Sequence, residues 1–234
     1  MLKDVFSVFI TFFGGIYFFV FKKTPNIVFQ SYVRAYCFTN GWISEFLSKI
    51  ISLLYKAKRK NNNINSEYFI EALDYNKIHK TLKSNGYYVF QNQLNKNFVE
   101  NIIDFTEKNE CYFFDDHGNK KFGKYNSKEN IRHLSSKFSY DESKIFNLEA
   151  INKLIFDPCI IKICENYFNS KVNLSNIDLW WTPVRQNISI KSEIANRSAQ
   201  FFHFDLDRIK WLKFFIYLTD TTLDDGPHEY VKGT

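Results

Sequence analysis

The chain has 234 residues, and its 45% hydrophobic and 19% aromatic content is enough to fill the core of one domain that carries an appendage. The net charge of +6 is spread along the sequence and includes no Arg-Gly or Lys-aromatic array, so no nucleic-acid partner is expected. The four cysteines have no Cys-x-x-Cys spacing, which predicts buried thiols in a reducing compartment, without a part in the chemistry.

The N-terminal segment is apolar. Residues 5–21 carry no charge, are rich in Phe, Val and Ile, and lie between Lys3-Asp4 and Lys22-Lys23. Seventeen residues are at the lower limit for a transmembrane helix, so a span, a buried helix and an interfacial segment all fit. A signal peptide fits less well, because no small-x-small cleavage site follows. If the segment spans, the basic residues after it place the bulk of the protein in the cytoplasm.

A second helix is predicted within residues 42–60, where apolar residues recur at helical spacing before a basic end. The pattern fits a helix on a membrane surface and, equally well, an amphipathic helix docked on the domain. Residues 1–60 are therefore predicted to form a helical appendage with membrane contacts at 5–21 and 42–60, attached to the cytoplasmic face of a membrane. The apolar positions are Ile43, Phe46, Leu47, Ile50, Ile51 and Leu54.

A polar linker without periodicity, residues 61–66, separates this appendage from a domain at residues 67–234. Capping residues and apolar spacing predict helices at residues 66–83, from 94 onward, 148–156 and 159–168. Runs of apolar and aromatic residues predict strands at residues 87–90, 172–182, 198–204, 211–219 and 229–231. The gaps between the later strands are too short for parallel crossovers, so antiparallel pairing is expected.

The motif that carries chemistry is Gln-Phe-Phe-His-Phe-Asp at residues 200–205. Residues i and i+2 of a strand share a face, so His203 and Asp205 would present an imidazole and a carboxylate side by side. With a later histidine, such a pair forms the facial triad of non-haem Fe(II) oxygenases. A lone His-x-Asp also arises by chance, and His203 would then be a hydrogen-bonded residue of a half-buried strand.

Segments on both sides of this motif, residues 82–90, 212–220 and 226–234, complete a longer pattern. From about residue 73 to the last residue, the succession resembles the phytanoyl-CoA dioxygenase family. The resemblance implies an α+β fold with a mainly β core, a partial double-stranded β-helix (a cupin-like jelly roll) with flanking helices. It also implies Fe(II), 2-oxoglutarate as co-substrate, ascorbate as an accessory, and hydroxylation of a small-molecule or lipid-like substrate. His203 and Asp205 would be the first two iron ligands.

Two parts of the family pattern are missing from the sequence. These are the third ligand, a histidine several strands later, and an arginine that pairs with the far carboxylate of 2-oxoglutarate. Gly233-Thr234 falls where family members read Gly-Ser-His, so the chain is expected to be the N-terminal part of an oxygenase domain. The alternative is an inactive, oxygenase-like protein that keeps a binding role. His228, just past a turn, is a poor substitute for the third ligand.

Five other residues are candidates for ligand contacts. Lys213 and Tyr217 share one face of their predicted strand and, if it is the inner face, could bind a carboxylate of 2-oxoglutarate. On the outer face Lys213 would be an ordinary solvated charge. Gln200 would reach the site only through a bulge or bend. Trp181 and Arg185 are candidates to line a substrate pocket, although adjacent tryptophans are often core and rim residues.

Two acidic motifs suggest other metal sites. Asp205-Leu206-Asp207 matches the Asp-x-Asp signature of metal-dependent glycosyltransferases, but a hairpin-like succession follows it where those enzymes alternate strands and helices. Asp115-Asp116-His117 could hold a metal but lies in a stretch rich in Gly, Lys and Asn, which favours a solvated loop.

Overall fold

The protein has a mixed architecture of helices and a small sheet. The computed structural model describes residues 2–57, 66, 68, 73–91, 94–115, 117–125, 134–183, 201–206 and 208–233. The chain folds as two compact units. Unit 1 consists of Met1–Lys58, Phe168–Lys171 and Phe204–Lys213. Unit 2 consists of Arg59–Tyr167, Val172–His203 and Phe214–Thr234.

Unit 1 is built on three helices, α1 (Leu2–Phe21), α2 (Asn26–Phe38) and α3 (Trp42–Leu54). Gly41 has φ 81° in the tight connection between α2 and α3, a conformation that glycine adopts without strain. The core of the unit is formed by the side chains of Tyr32, Ala35, Ile43 and Leu47.

The α1 and α2 helices approach each other closely at a glycine. A Cβ atom on Gly14 would overlap the side chain of Val28, whereas one on the adjacent Gly15 would meet nothing within 4 Å. Small residues therefore let the two helix backbones come together, as they do at many helix crossings.

Unit 2 contains five helices and a small sheet in the described part of the chain. The helices are α4 (Tyr75–Asn85), α5 (Lys96–Lys108), α6 (Glu142–Phe146), α7 (Glu149–Ile155) and α8 (Pro158–Phe168), the last residue of which belongs to unit 1. The strands are β1 (Cys111–Phe114), β2 (Lys120–Gly123), β3 (Phe138–Ser139) and β4 (Trp180–Trp181). They lie in the order β2-β1-β3-β4 and every pair is antiparallel.

Two hydrophobic clusters hold unit 2 together. One lies on the sheet, where Phe113 pairs with Phe138 and Phe138 pairs in turn with Trp181. The other joins α5 to α7 through Phe98, Ile102 and Leu154.

The sequence predicted most helices correctly. The helices at residues 42–60, from 94 onward, 148–156 and 159–168 correspond to α3, α5, α7 and α8. The described strand pairs are antiparallel, but only β4 lies in a predicted strand, so the pairing expected among the later strands is not shown. Within the helix predicted at residues 66–83, the described residues 66, 68, 73 and 74 are not helical, and α4 begins after Asp74, which caps it by accepting a hydrogen bond from the Lys77 N–H at 2.9 Å. It ends at Gly86, in the left-handed conformation with φ 82°.

The strand predictions were mostly wrong. Of residues 172–182 only β4 is a strand, and residues 87–90, 201–204, 211–219 and 229–231 contain none. Residues 198–200 lie outside the described part of the chain, as do linker residues 61–65. A strand needs a neighbouring strand that accepts and donates its backbone hydrogen bonds, and an apolar run does not show whether such a neighbour exists.

The prediction of buried cysteines was right for two of the four. Cys111 and Cys159 are buried, Cys164 is half-buried, and Cys37 is exposed on α2. All four are free thiols.

Candidate functional site

His203 lies in an irregular segment of unit 2 and is exposed. Its Nδ1 atom is 2.7 Å from the carbonyl oxygen of Phe201. A carbonyl oxygen only accepts, so Nδ1 must donate, and the neutral ring then carries its lone pair on Nε2. Histidines that bind metals commonly use this arrangement, in which a backbone carbonyl fixes the tautomer and the orientation of the ring.

Asp205 belongs to unit 1 and is half-buried. Its Oδ2 atom accepts a hydrogen bond from Lys213 Nζ at 2.9 Å, and the same ammonium lies 4.2 Å from the centre of the Trp211 ring. Both members of the ion pair are partly exposed, so it contributes at most about 1 kcal/mol to stability. Lys213, a candidate contact for 2-oxoglutarate, therefore forms an ion pair with the carboxylate of the candidate metal ligand Asp205.

The two candidate ligands fall in different units, and residues 201–206 form no strand. The argument that His203 and Asp205 share a face assumed a strand, so it does not apply to this segment. Their assignment as metal ligands stays a prediction.

A third ligand is not found in the described part of the chain. No three His, Cys, Asp or Glu side chains come close enough to hold a metal ion there. An imidazole and a carboxylate suit Fe(II) chemically, but two donors do not complete a facial triad. The described residues therefore do not form a complete iron site.

His228 and Tyr217 contact each other in unit 2. The His228 ring stacks on Phe215 with centroids 4.6 Å apart, and its backbone N–H donates to the Tyr217 hydroxyl at 2.9 Å. These contacts give His228 a packing role and orient the Tyr217 hydroxyl within the loop.

Trp181 lies in β4 and is half-buried. Its ring stacks on Tyr125 at 5.4 Å and packs against the sheet core. These contacts fit the core alternative, and substrate contact by Trp181 stays a prediction. Gln200, Arg185, Asp207 and Asp116 lie outside the described residues, so the predictions made for them also stand as predictions.

Asp115 organises the turn between β1 and β2. Its Oδ1 atom accepts hydrogen bonds from the Asn119 and His117 N–H groups at 2.8 and 3.0 Å. The hydrogen bond from Asn119 is the main cause of a lowered pKa for this carboxyl group. The contacts favour a solvated structural loop at this position.

Sequence reasoning missed a cluster of titratable side chains around Asp157. This buried carboxylate accepts hydrogen bonds from Ser66 Oγ at 2.6 Å and from the Cys159 N–H at 2.8 Å. Burial raises the pKa of the Cys159 thiol and of the nearby Tyr75 phenol. Neither group is therefore activated as a nucleophile at neutral pH, and Asp157 acts as the N-terminal cap of α8. The dipeptide Asp157-Pro158 was the available signal.

Comparison of the chain with protein-family models, with curated proteins and with solved structures gave no significant match. The resemblance to phytanoyl-CoA dioxygenases therefore depends on the residues of the motif and its flanking segments.

Proposed function

We propose that this chain carries the N-terminal part of an Fe(II)- and 2-oxoglutarate-dependent dioxygenase similar to phytanoyl-CoA dioxygenase. His203 and Asp205 would be two of its three iron ligands, and the third would come from residues outside those described. The observation that best supports the proposal is the hydrogen bond from His203 Nδ1 to the Phe201 carbonyl, because it selects the tautomer that presents Nε2 to a metal. Fe(II), 2-oxoglutarate and accessory ascorbate would supply the oxidising chemistry when bound.

A partial jelly roll is the proposed architecture around these ligands. Support comes from large apolar side chains that the relevant segments leave exposed: Phe202 is 70% exposed and Val231 is 52% exposed. A solvent-exposed apolar face of this kind is expected where further strands would pack.

In this proposal Lys213 has a defined electrostatic role. With no metal bound, its ammonium balances the charge of Asp205 at 2.9 Å. A divalent ion at Asp205 would repel that ammonium, which could then bind a carboxylate of 2-oxoglutarate. Tyr217 and Gln200 remain proposed co-substrate contacts, and Trp181 and Arg185 remain proposed substrate contacts. The proposed location is the cytoplasm, at the surface of a membrane.

The ligand assignment is tested by anaerobic titration of the 234-residue chain with Co(II), which reports on an Fe(II) site through its visible absorption. We expect weak binding that His203→Ala or Asp205→Ala abolishes. His228→Ala is the matched control, an exposed histidine of unit 2 that the proposal leaves out of the site. Equal Co(II) binding by His203→Ala and the unsubstituted chain, with circular dichroism spectra unchanged, would refute the assignment.

A non-catalytic, oxygenase-like protein is the second candidate. The ion pair between Asp205 and Lys213 favours it, because a lysine can permanently replace the charge of a lost metal ion. Under this alternative even the unsubstituted chain binds no Co(II). A glycosyltransferase is disfavoured, since all strand pairs in the described residues are antiparallel.

A further inference from the structure

The outer face of α1 is apolar from end to end. The helix has 20 residues, long and apolar enough to cross a membrane by length and composition, and its only charged residues are Lys3 and Asp4. Large side chains are exposed along its whole length: Phe6, Phe9, Phe13, Ile16 and Val20. A single exposed apolar residue needs no explanation, but a continuous apolar face marks an interaction surface.

The opposite face of α1 is already occupied. Ser7, Thr11 and Gly14 are buried, and Gly14 lies directly against Val28 of α2. The Ser7 hydroxyl donates to the Lys3 carbonyl at 2.8 Å and the Thr11 hydroxyl to the Ser7 carbonyl at 2.7 Å. Since both hydroxyls are satisfied within the helix, neither requires water, and α1 suits an apolar environment on its outer face.

The charge of the protein is concentrated in the same unit. Unit 1 contains eleven Lys and Arg and four Asp and Glu, a net charge of +7, whereas the rest of the chain has a net charge of −1. Lys22 follows α1 directly, and its ammonium lies 4.9 Å from the centre of the Phe19 ring. The apolar face of α1 is complementary to the acyl chains of a membrane, and the positive charge of unit 1 is complementary to anionic headgroups.

The packing of α2 decides how α1 would enter the membrane. Val28 contacts Gly14, and Arg34 Nε lies 3.4 Å from Asp4 Oδ1, so α2 runs antiparallel along α1. Gln30 lies between Val28 and Arg34 along α2, one helical turn before Arg34, and it is exposed. If α1 crossed the bilayer, Arg34 would stay near the membrane edge beside Asp4, but α2 would carry the exposed Gln30 into the hydrocarbon, which is unfavourable.

We propose that α1 lies in the plane of an anionic membrane, with its aromatic face in the lipid and α2 on the side facing water. The inference refines the proposed membrane location and is independent of the iron ligands. Unit 1 would then bind the surface of a bilayer from one side, and α1 would not span the membrane.

Flotation of the full chain with vesicles tests this proposal. We expect binding to phosphatidylcholine vesicles that contain phosphatidylserine, weaker binding to phosphatidylcholine alone, and release by high salt. Phe13→Asp should weaken binding about tenfold or more, because it places a charge in the embedded face. The matched control is Phe122→Asp in unit 2, where the side chain is 65% exposed compared with 63% for Phe13. His203→Ala should bind vesicles like the unsubstituted chain, which separates this test from that of the iron site.

Depth of insertion distinguishes an in-plane helix from a span. A fluorophore attached at Phe6→Cys, Phe13→Cys or Val20→Cys, each in a Cys37→Ser background, should be quenched equally by a shallow lipid quencher. Deep quenching at residue 13 with shallow quenching at residues 6 and 20 would overturn the in-plane orientation. Absence of vesicle binding, together with a dimer in solution that Phe13→Asp dissociates, would show that a second copy covers the face and would refute the membrane proposal.

Discussion

At the scale of single residues, the candidate site depends on two local contacts. The Phe201 carbonyl sets the tautomer of His203, and Lys213 balances the charge of Asp205. His203 and Asp205 could be predicted as a pair because their residue types and their i, i+2 spacing can be read directly from the sequence. The sequence could not predict that Lys213 pairs with Asp205, because the irregular path between the two residues determines that contact.

Lys213 should compete with a metal ion for Asp205. Replacing it by methionine removes the ammonium but keeps a long apolar side chain, so Lys213→Met should bind Co(II) about fivefold more tightly in the anaerobic titration. Lys137→Met is the matched control, since Lys137 Nζ also lies over a tryptophan ring, 4.3 Å from the centre of Trp180. Loss of Co(II) binding in Lys213→Met would indicate that Lys213 positions Asp205 instead of competing at it.

The cysteines should react with very different rates. Burial raises the pKa of the Cys111 and Cys159 thiols and raises that of Cys164 to about 11, whereas Cys37 is exposed. The thiolate is the reactive form, so a maleimide at mildly alkaline pH should label only Cys37 rapidly in the folded chain. Mass spectrometry should show that Cys37→Ser removes the rapid label and that denaturant exposes the other three thiols. Rapid labelling of Cys164 in Cys37→Ser would contradict the described burial.

At the scale of elements, helices were easier to predict than strands for a physical reason. Phe98 and Ile102 of α5 are one helical turn apart and both are buried, so the helix leaves a regular pattern in the sequence. The β2 strand has no buried residue, and β3 and β4 have two residues each, so no alternation can be detected. Their pairing depends on partners far away in the chain.

Two adjacent glycines of α1 should respond in opposite ways to substitution. Gly14→Ala inserts a methyl group against Val28 and should destabilise unit 1 by about 1 to 3 kcal/mol. Gly15→Ala points into open space and should stabilise the helix by up to about 1 kcal/mol, since alanine favours a helix over glycine. Urea unfolding followed by circular dichroism measures both. Equal effects of the two substitutions would show that α1 does not pack on α2 through Gly14.

At the scale of the whole molecule, the chain combines a basic helical unit with a unit of nearly neutral charge. Residues 1–58 alone carry a net charge of +5, and residues 168–171 and 204–213, which belong to the same unit, add +2. The membrane proposal concerns unit 1 and does not depend on the proposed iron ligands, although one of them, Asp205, also belongs to that unit.

Catalysis should require more than the two ligands proposed here. With His203 and Asp205 alone, the 234-residue chain should produce almost no succinate from 2-oxoglutarate. If the reading frame continues past Thr234 to a histidine and an arginine, the longer protein should produce succinate in an Fe(II)-dependent way, and His203→Ala or Asp205→Ala should abolish it. His228→Ala in the longer protein should retain activity. Strong succinate production by the 234-residue chain would show that the ligand set is different.

The placement of the tryptophans has a spectroscopic consequence. Trp42 and Trp211 belong to unit 1, whereas Trp180 and Trp181 belong to unit 2. Replacing either pair by phenylalanine leaves tryptophan in one unit only, so tryptophan emission, excited selectively over tyrosine, reports on that unit during denaturation. Coincident unfolding midpoints from the two double variants would mean that unit 1 and unit 2 unfold as one cooperative system. Separate midpoints would mean that each unit has its own thermodynamic stability.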